Sequence, residues 1–166
     1  MLHIDRFMEK VIRKYGHFIV YVRADKNFYC SCWQEHMKEA DPLCNICYGT
    51  GYKVKLQRMR VRSRIVTVFE TLPGLKYNSP AGNFTPKAFV YYFMEKHHPK
   101  AEDLILEVEW DENKKVKRIT DKHRITVADP KFGDDGVTAF YQVYVSHEEG
   151  SSENNKAIAT HKNETE

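Results

Sequence analysis

No stretch of this chain of 166 residues approaches the roughly 18 consecutive apolar residues that cross a bilayer, so a membrane role has no support. Residues 1–10 lack the apolar segment and small-residue cleavage site of a secretory signal, and the chain is expected to stay in the cell that makes it. The sequence holds no G-x-S-x-G, no H-E-x-x-H and no phosphate-cradling glycine loop. Its Asp134–Asp135 pair falls in a turn, where acids are ordinary. An enzyme acting on a small-molecule substrate is therefore not expected. An internal repeat is also lacking. What remains is the composition of a soluble globular protein, 42% hydrophobic and 30% charged, long enough for one hydrophobic core with an insert but not for two full domains.

The net charge of +3 is too small to imply nucleic acid by itself, yet it is unevenly placed. Residues 147–166 hold five Glu against two Lys, a balance of −3, which leaves +6 on the rest. This end has no aromatic residue and too little apolar surface to offset the entropy of ordering it, so 147–166 is expected to be a disordered tail.

Ile4, Phe7, Met8, Val11, Ile12 and Tyr15 recur on one face of a helix over 4–15, with Gly16 to close it. Beyond it the period is mostly two. Strands are expected at 18–23, along a long extended segment at 52–69, and at 88–94, 103–110, 116–120, 123–128 and 137–145. In 103–110 the pattern sets Leu104, Leu106, Val108 and Trp110 on a buried face against Glu107 and Glu109 on a wet one. Leu72-Pro-Gly-Leu and Asn78-Ser-Pro-Ala-Gly-Asn make 70–86 a loop. The fold class expected is mainly β: a small antiparallel barrel or sandwich with an N-terminal helix and a zinc-knuckle insert. The segments are 1–27 (helix and first strand), 28–54 (insert), 55–146 (β domain) and 147–166 (tail).

Four cysteines, Cys30, Cys32, Cys44 and Cys47, fall within the insert. In a reducing compartment such a cluster reads as metal ligands rather than disulfides. Two short chelating pairs about a dozen residues apart can supply the tetrahedron of a structural Zn2+ without a core of their own. Glycines in Cys44-Asn-Ile-Cys47-Tyr-Gly49-Thr-Gly51 let the chain turn tightly beneath the metal, so that backbone amides approach the sulfurs. His36 offers a substitute ligand, and His97-His98 a weaker candidate. Four thiolates close the coordination shell, which argues against a catalytic zinc.

Lys53, Lys55, Arg58, Arg60, Arg62 and Arg64 follow with no acid among them. On an extended strand the four arginines share a face at about 6.6 Å spacing, with Met59, Val61 and Ile65 pointing the other way. Such a stripe could touch phosphates or acidic neighbouring subunits. It could equally be a solvated face, or an edge kept charged against strand addition. One reading of the whole is a zinc-ribbon module whose arginines track a nucleic-acid backbone while Tyr21, Phe28 and Trp33 stack on bases.

Two resemblances extend these readings. The C-x-x-C-x-G-x-G half of the cysteine pattern resembles the zinc-binding repeat of J-domain co-chaperones, in which each zinc uses two copies. One copy is present here, and the other half is C-x-C, so the resemblance supports the metal rather than a chaperone function. More of the chain is similar to tailed-bacteriophage head-to-tail connector proteins, of the head-completion, stopper or neck type. The similarity lies in the leading helix and strand, in Asp41-Pro-Leu-Cys-Asn-Ile-Cys-Tyr-Gly-Thr-Gly-Tyr, and in three later segments. Those are Ala101-Glu-Asp-Leu-Ile-Leu-Glu-Val, Arg124-Ile-Thr-Val-Ala-Asp-Pro and Gly136-Val-Thr-Ala-Phe-Tyr-Gln-Val-Tyr-Val. That resemblance implies a non-enzymatic virion subunit, made in the host cytoplasm, that forms a ring with copies of itself. Its implied partners are portal, adaptor or tail proteins, with non-specific DNA contact along the channel. The basic stripe and the tail would be subunit contacts, and loop 70–86 would reach the channel or the next ring.

Overall fold

Alternation with a period of two drives most of the chain into strands, and six of them close on one another. The structure, a computed structural model, describes residues 4–66 and 88–148. Helix α1 spans Ile4–Tyr15, followed by β1 (His17–Tyr29), β2 (Tyr52–Val66), β3 (Ala88–Met94), a 3-10 turn (Glu95–His97), β4 (Leu104–Trp110), β5 (Val116–Phe132) and β6 (Thr138–His147). All pairings are antiparallel, and the order β1-β2-β3-β6-β5-β4 forms a closed barrel.

The interior is filled by Ile19, Tyr21, Met59, Val61, Tyr91, Phe93, Ile105, Ile125, Val143 and Val145. Val20, Val22, Leu104, Leu106 and Ile119 form a second buried cluster on the other face of β1, β4 and β5. β1 and β4 are thus covered on both sides, which accounts for the unbroken apolar runs Phe18–Val22 and Leu104–Leu106. Leu104 and Leu106 are buried as expected for 103–110 and Glu109 is exposed, but the face expected as wet is also buried at Ile105 and half-buried at Glu107. Leu104 and Leu106 lie outside the barrel, while Ile105 and the half-buried Glu107 point inward, where the Tyr91 hydroxyl donates to Glu107 Oε1 at 2.7 Å. A second interior polar group is equally satisfied. Tyr21 donates to Asp103 Oδ2 (2.7 Å), the Ala24 amide donates to Asp103 Oδ1 (3.1 Å), and the Lys100 amide donates to Tyr21 Oη (3.0 Å).

Several boundaries differ from expectation. β1 runs on to Tyr29, so the two strands of the hairpin take up both ends of the segment expected as insert. The two strands expected at 116–120 and 123–128 are one, β5, which pairs first with β4 and then with β6, with register shifts that absorb the change of partner. Asp121 and Lys122 stay in the strand because His147 and Glu148 pair with them. Beyond Arg124, β5 is paired with β6 alone, the edge position in which a sheet tolerates Pro130. His147 closes β6 rather than opening the tail. Loop 70–86 and residues 149–166 lie outside the described residues, as do residues 67–69 of the expected extended segment.

Helix α1 packs against β2, β3 and β6, with Ile12 completely buried. Its end is fixed by Gly16, whose amide donates to Ile12 O at 2.9 Å. A Cβ on Gly16 would lie 2.3 Å from the Ile12 carbonyl oxygen and 2.6 Å from that of Val61, both backbone atoms that cannot move aside. Gly16→Ala is therefore expected to destabilise the fold by about 1–3 kcal/mol, the usual cost of overpacking. A lowered urea midpoint followed by circular dichroism checks this; an unchanged midpoint would mean that the helix is not seated so closely on β2.

Candidate metal centre

The cysteines lie on the connection between β1 and β2. Pairing between the strands is interrupted after Asp25–Lys53 and resumes at Tyr29–Tyr52, and the Cys30 amide then donates to Gly51 O (2.9 Å), closing residues 30–51 into a compact loop. Inside it, Gln34 N donates to Glu39 O (2.9 Å) in a small turn, and Asp41 Oδ1 accepts from the Leu43 amide (2.9 Å) just before the second cysteine pair. Tyr48 N then donates to Cys44 O (2.9 Å) and Thr50 N to Cys47 O (3.1 Å), winding the chain beneath the sulfurs.

Two glycines are required here. Gly49 and Gly51 have φ of +83° and +77°, the left-handed region that disfavours side chains. A Cβ at Gly49 would also lie 2.9 Å from Pro42 O, and one at Gly51 would lie 3.0 Å from the Trp33 ring. Their amides point at the Cys47 sulfur, and the Cys32 amide points at that of Cys30.

All four Sγ atoms lie within 4.8 Å of one another, with Cys30–Cys44 at 3.9 Å and Cys32–Cys47 at 3.5 Å. A disulfide would bring a pair to about 2.05 Å, so these are free thiols. Metal–sulfur bonds of about 2.3 Å in a tetrahedron place the sulfurs about 3.8 Å apart, which matches the distances found. Cys30 and Cys47 are buried, and Cys32 and Cys44 half-buried. Burial opposes ionisation of Cys30, but the Cys32 amide and the neighbouring thiols outweigh it and lower that thiol to about 7. Burial pushes the Cys32 and Cys47 thiols up. One thiolate forms readily and the next resist, because several anions in a desolvated space need a countercharge. A dication supplies it, so the donor set fits a metal ion in position and in charge.

The loop is held to the barrel by Tyr48, whose ring packs on Val20, Val22, Leu104, Leu106 and Ile119. Tyr29, Trp33 and Tyr52 stack beside the cysteines, with Tyr29 centred 4.6 Å from Trp33 and 5.4 Å from Tyr52. Neither Tyr48 nor this stack was picked out by the motif. Tyr48 occupies a variable position of C-x-x-C-x-G-x-G, and only its burial reveals its part.

Other expected site residues are placed differently. His36 is exposed, and the four cysteines alone make up the metal-capable group among the described residues. His97 is half-buried in the 3-10 turn, and burial lowers its pKa to about 4. The four arginines do share a face of β2, with Met59 and Val61 buried on the other, but Ile65 is exposed and Lys53 and Lys55 fall on the side of Met59 and Val61. Most of the stripe is engaged within the chain. The Arg58 guanidinium sits 3.8 Å from the Phe18 ring centre and 4.8 Å from that of Trp110, and that of Arg60 sits 5.2 Å from Phe18. Arg62 donates to Tyr15 O (2.8 Å), Arg64 donates to Tyr92 Oη (2.8 Å), and Lys53 lies over Phe28 (5.9 Å). Lys55 is exposed. Tyr21, named above as a base-stacking residue, is wholly buried in the barrel and cannot stack on anything outside it.

No family model, curated protein or solved structure matches this chain. Among the described residues, no helix is long and apolar enough to cross a membrane.

Metal entry must displace protons from the raised thiols, so apparent affinity is expected to fall as pH is lowered, about tenfold per pH unit for each proton displaced. Co2+ titration, followed through its thiolate charge-transfer band, should give one four-thiolate site per chain. The same affinity at pH 6 and pH 7.5 would contradict this assignment.

Proposed function

We propose that the protein is a non-enzymatic structural subunit of a tailed-bacteriophage virion. In this reading its copies form part of the ring that joins the head portal to the tail and lines the DNA channel, and the four cysteines hold a structural zinc. The observation that carries the reading is a pair of apolar surfaces, exposed among the described residues, on different walls of the barrel. Ile4, Phe7 and Tyr15 are exposed on α1, which covers β2, β3 and β6. Met37, Leu43 and Ile46 are exposed on the cysteine loop, which covers β1, β4 and β5. A two-fold dimer needs one self-complementary patch, whereas a head-to-tail ring needs two different ones. Soft thiolate ligands in a tetrahedron favour zinc among the abundant divalent ions, and a shell filled by protein ligands leaves no position for substrate.

Light scattering with negative-stain imaging of the purified protein tests the ring. Closed rings are expected at high concentration, and a strict monomer at every concentration would overturn the proposal. Removing the metal with a strong chelator is expected to raise hydrogen exchange in residues 28–54 and to spare the barrel interior. Loss of protection throughout would show that the metal supports the core itself.

The alternative is a zinc-ribbon nucleic-acid-binding protein that uses the Arg58–Arg64 stripe. It is favoured by the exposed Phe28 beside Lys53, next to the ring stack, and disfavoured by the internal partners of Arg58, Arg62 and Arg64. Filter binding separates the two readings, because phosphate contacts weaken steeply as salt is raised.

A further inference from the structure

Six ionisable side chains from five strands gather near the end of the barrel where β1 begins and β6 ends, and the metal centre uses none of them. Glu107 on β4 accepts from Tyr91 of β3 (2.7 Å) and bonds His17 Nε2 of β1 (2.9 and 3.0 Å). On β5, Asp121 pairs through Oδ1 with His147 Nε2 of β6 (3.1 Å), while its Oδ2 lies 3.6 Å from His123 Nε2. His123 is only 1% exposed, and neither of its ring nitrogens has a hydrogen-bond partner among the described residues. Its ring centre lies 5.2 Å from Phe89, 5.9 Å from Tyr91 and 5.6 Å from His147. In the backbone it is a junction, paired with Ile105 of β4 on one side and His147 of β6 on the other.

We infer that His123 and His147 form a proton-operated latch on the last strand, which holds the end of β6 against β5 near neutral pH and frees it in mild acid. An imidazole among Phe89, Tyr91 and a second imidazole is accommodated in its neutral form. Burial works against a proton there and His147 adds repulsion, while Asp121 and Glu107 pull the other way. Both carboxylates are already engaged, Asp121 by His147 and Glu107 by His17 and Tyr91. The net effect holds His123 below its ordinary 6.5 while the strand is seated. Once β6 lifts away, the same ring takes up a proton near that ordinary value. The seated state is therefore fully favoured above about pH 6.5 and loses ground as pH falls below it, by up to about tenfold per pH unit for one proton.

The adjacent anchor does not share this response. Glu148 is held by Lys122 (3.1 Å) and Arg124, and these cations outweigh burial and keep its carboxyl below the usual range. It stays charged while His123 titrates, so the acid response belongs to that ring.

Hydrogen exchange of the full chain, corrected for intrinsic rates, tests the latch. From pH 6.5 to 5.5 the opening of residues 144–148 should grow up to about tenfold, with the β1–β2 pairing unchanged. His123→Phe, which matches the surrounding rings and cannot titrate, should remove the pH dependence. Equal protection at the two pH values, or a dependence that persists in His123→Phe, would overturn the inference. Should that variant fail to fold, the His123 ring can be titrated by NMR in the natural chain. A midpoint below 6.5 supports the latch, and one at or above 6.5 overturns it.

Discussion

A strand that is apolar on both faces must be covered on both, and β1 and β4 impose that requirement on the whole molecule. Their inner faces are buried by closing the barrel, but Val20, Val22, Leu104 and Leu106 are left on the outside. At about 25 cal/mol per Å2 of apolar surface, leaving such a patch wet would cost several kcal/mol. The cover is Tyr48, carried on residues 30–51. A loop of that size is too small to hold its own shape through a hydrophobic core, so it depends on cross-links. The four-cysteine cluster stands where those cross-links are needed, with the two glycines of the second half letting the chain turn inside it.

That chain of dependence explains which features were legible in the sequence. Helix 4–15, the existence of most strands and the four-cysteine cluster come from local signals: a 3.6-residue period, a two-residue period and cysteine spacing. That Leu104 and Leu106 are buried was legible, but which face of β4 lines the barrel interior was not. Alternation shows that Leu104 and Leu106 share a side, but which side meets the interior depends on what else the fold brings to cover them, and Tyr48 is more than fifty residues away. β5 was divided in two for a similar reason. Asp121 and Lys122 look like turn residues until His147 and Glu148 arrive from the far end of the chain to pair with them. Glu107, read as wet, is half-buried, and Asp103 is buried, because tyrosine hydroxyls reach them from β3 and β1.

The arginines teach a related lesson about charge. Spacing alone placed Arg58, Arg60, Arg62 and Arg64 on one face, and they are there. A free guanidinium row would present a continuous positive field, but each of these groups has found something to lie on or donate to. Arg58 and Arg60 lie on Phe18, Arg62 reaches the end of α1, and Arg64 reaches Tyr92. Arginine suits this work because a planar, weakly hydrated cation stacks on rings while its edge still donates hydrogen bonds. The stripe therefore acts partly as mortar between β2, α1 and the neighbouring strands.

Rigidity of the cysteine loop also bears on assembly. Association costs the ordering of whatever is mobile at the interface, so a preorganised apolar surface binds better than the same residues on a floppy loop. Met37, Leu43 and Ile46 project from the stretch that the metal would fix and Tyr48 would seat. In the proposed ring, loss of metal would therefore weaken association before it weakened the fold, because the barrel interior has its own packing and the loop does not. The order of those two losses separates a structural metal that serves assembly from one that serves folding alone.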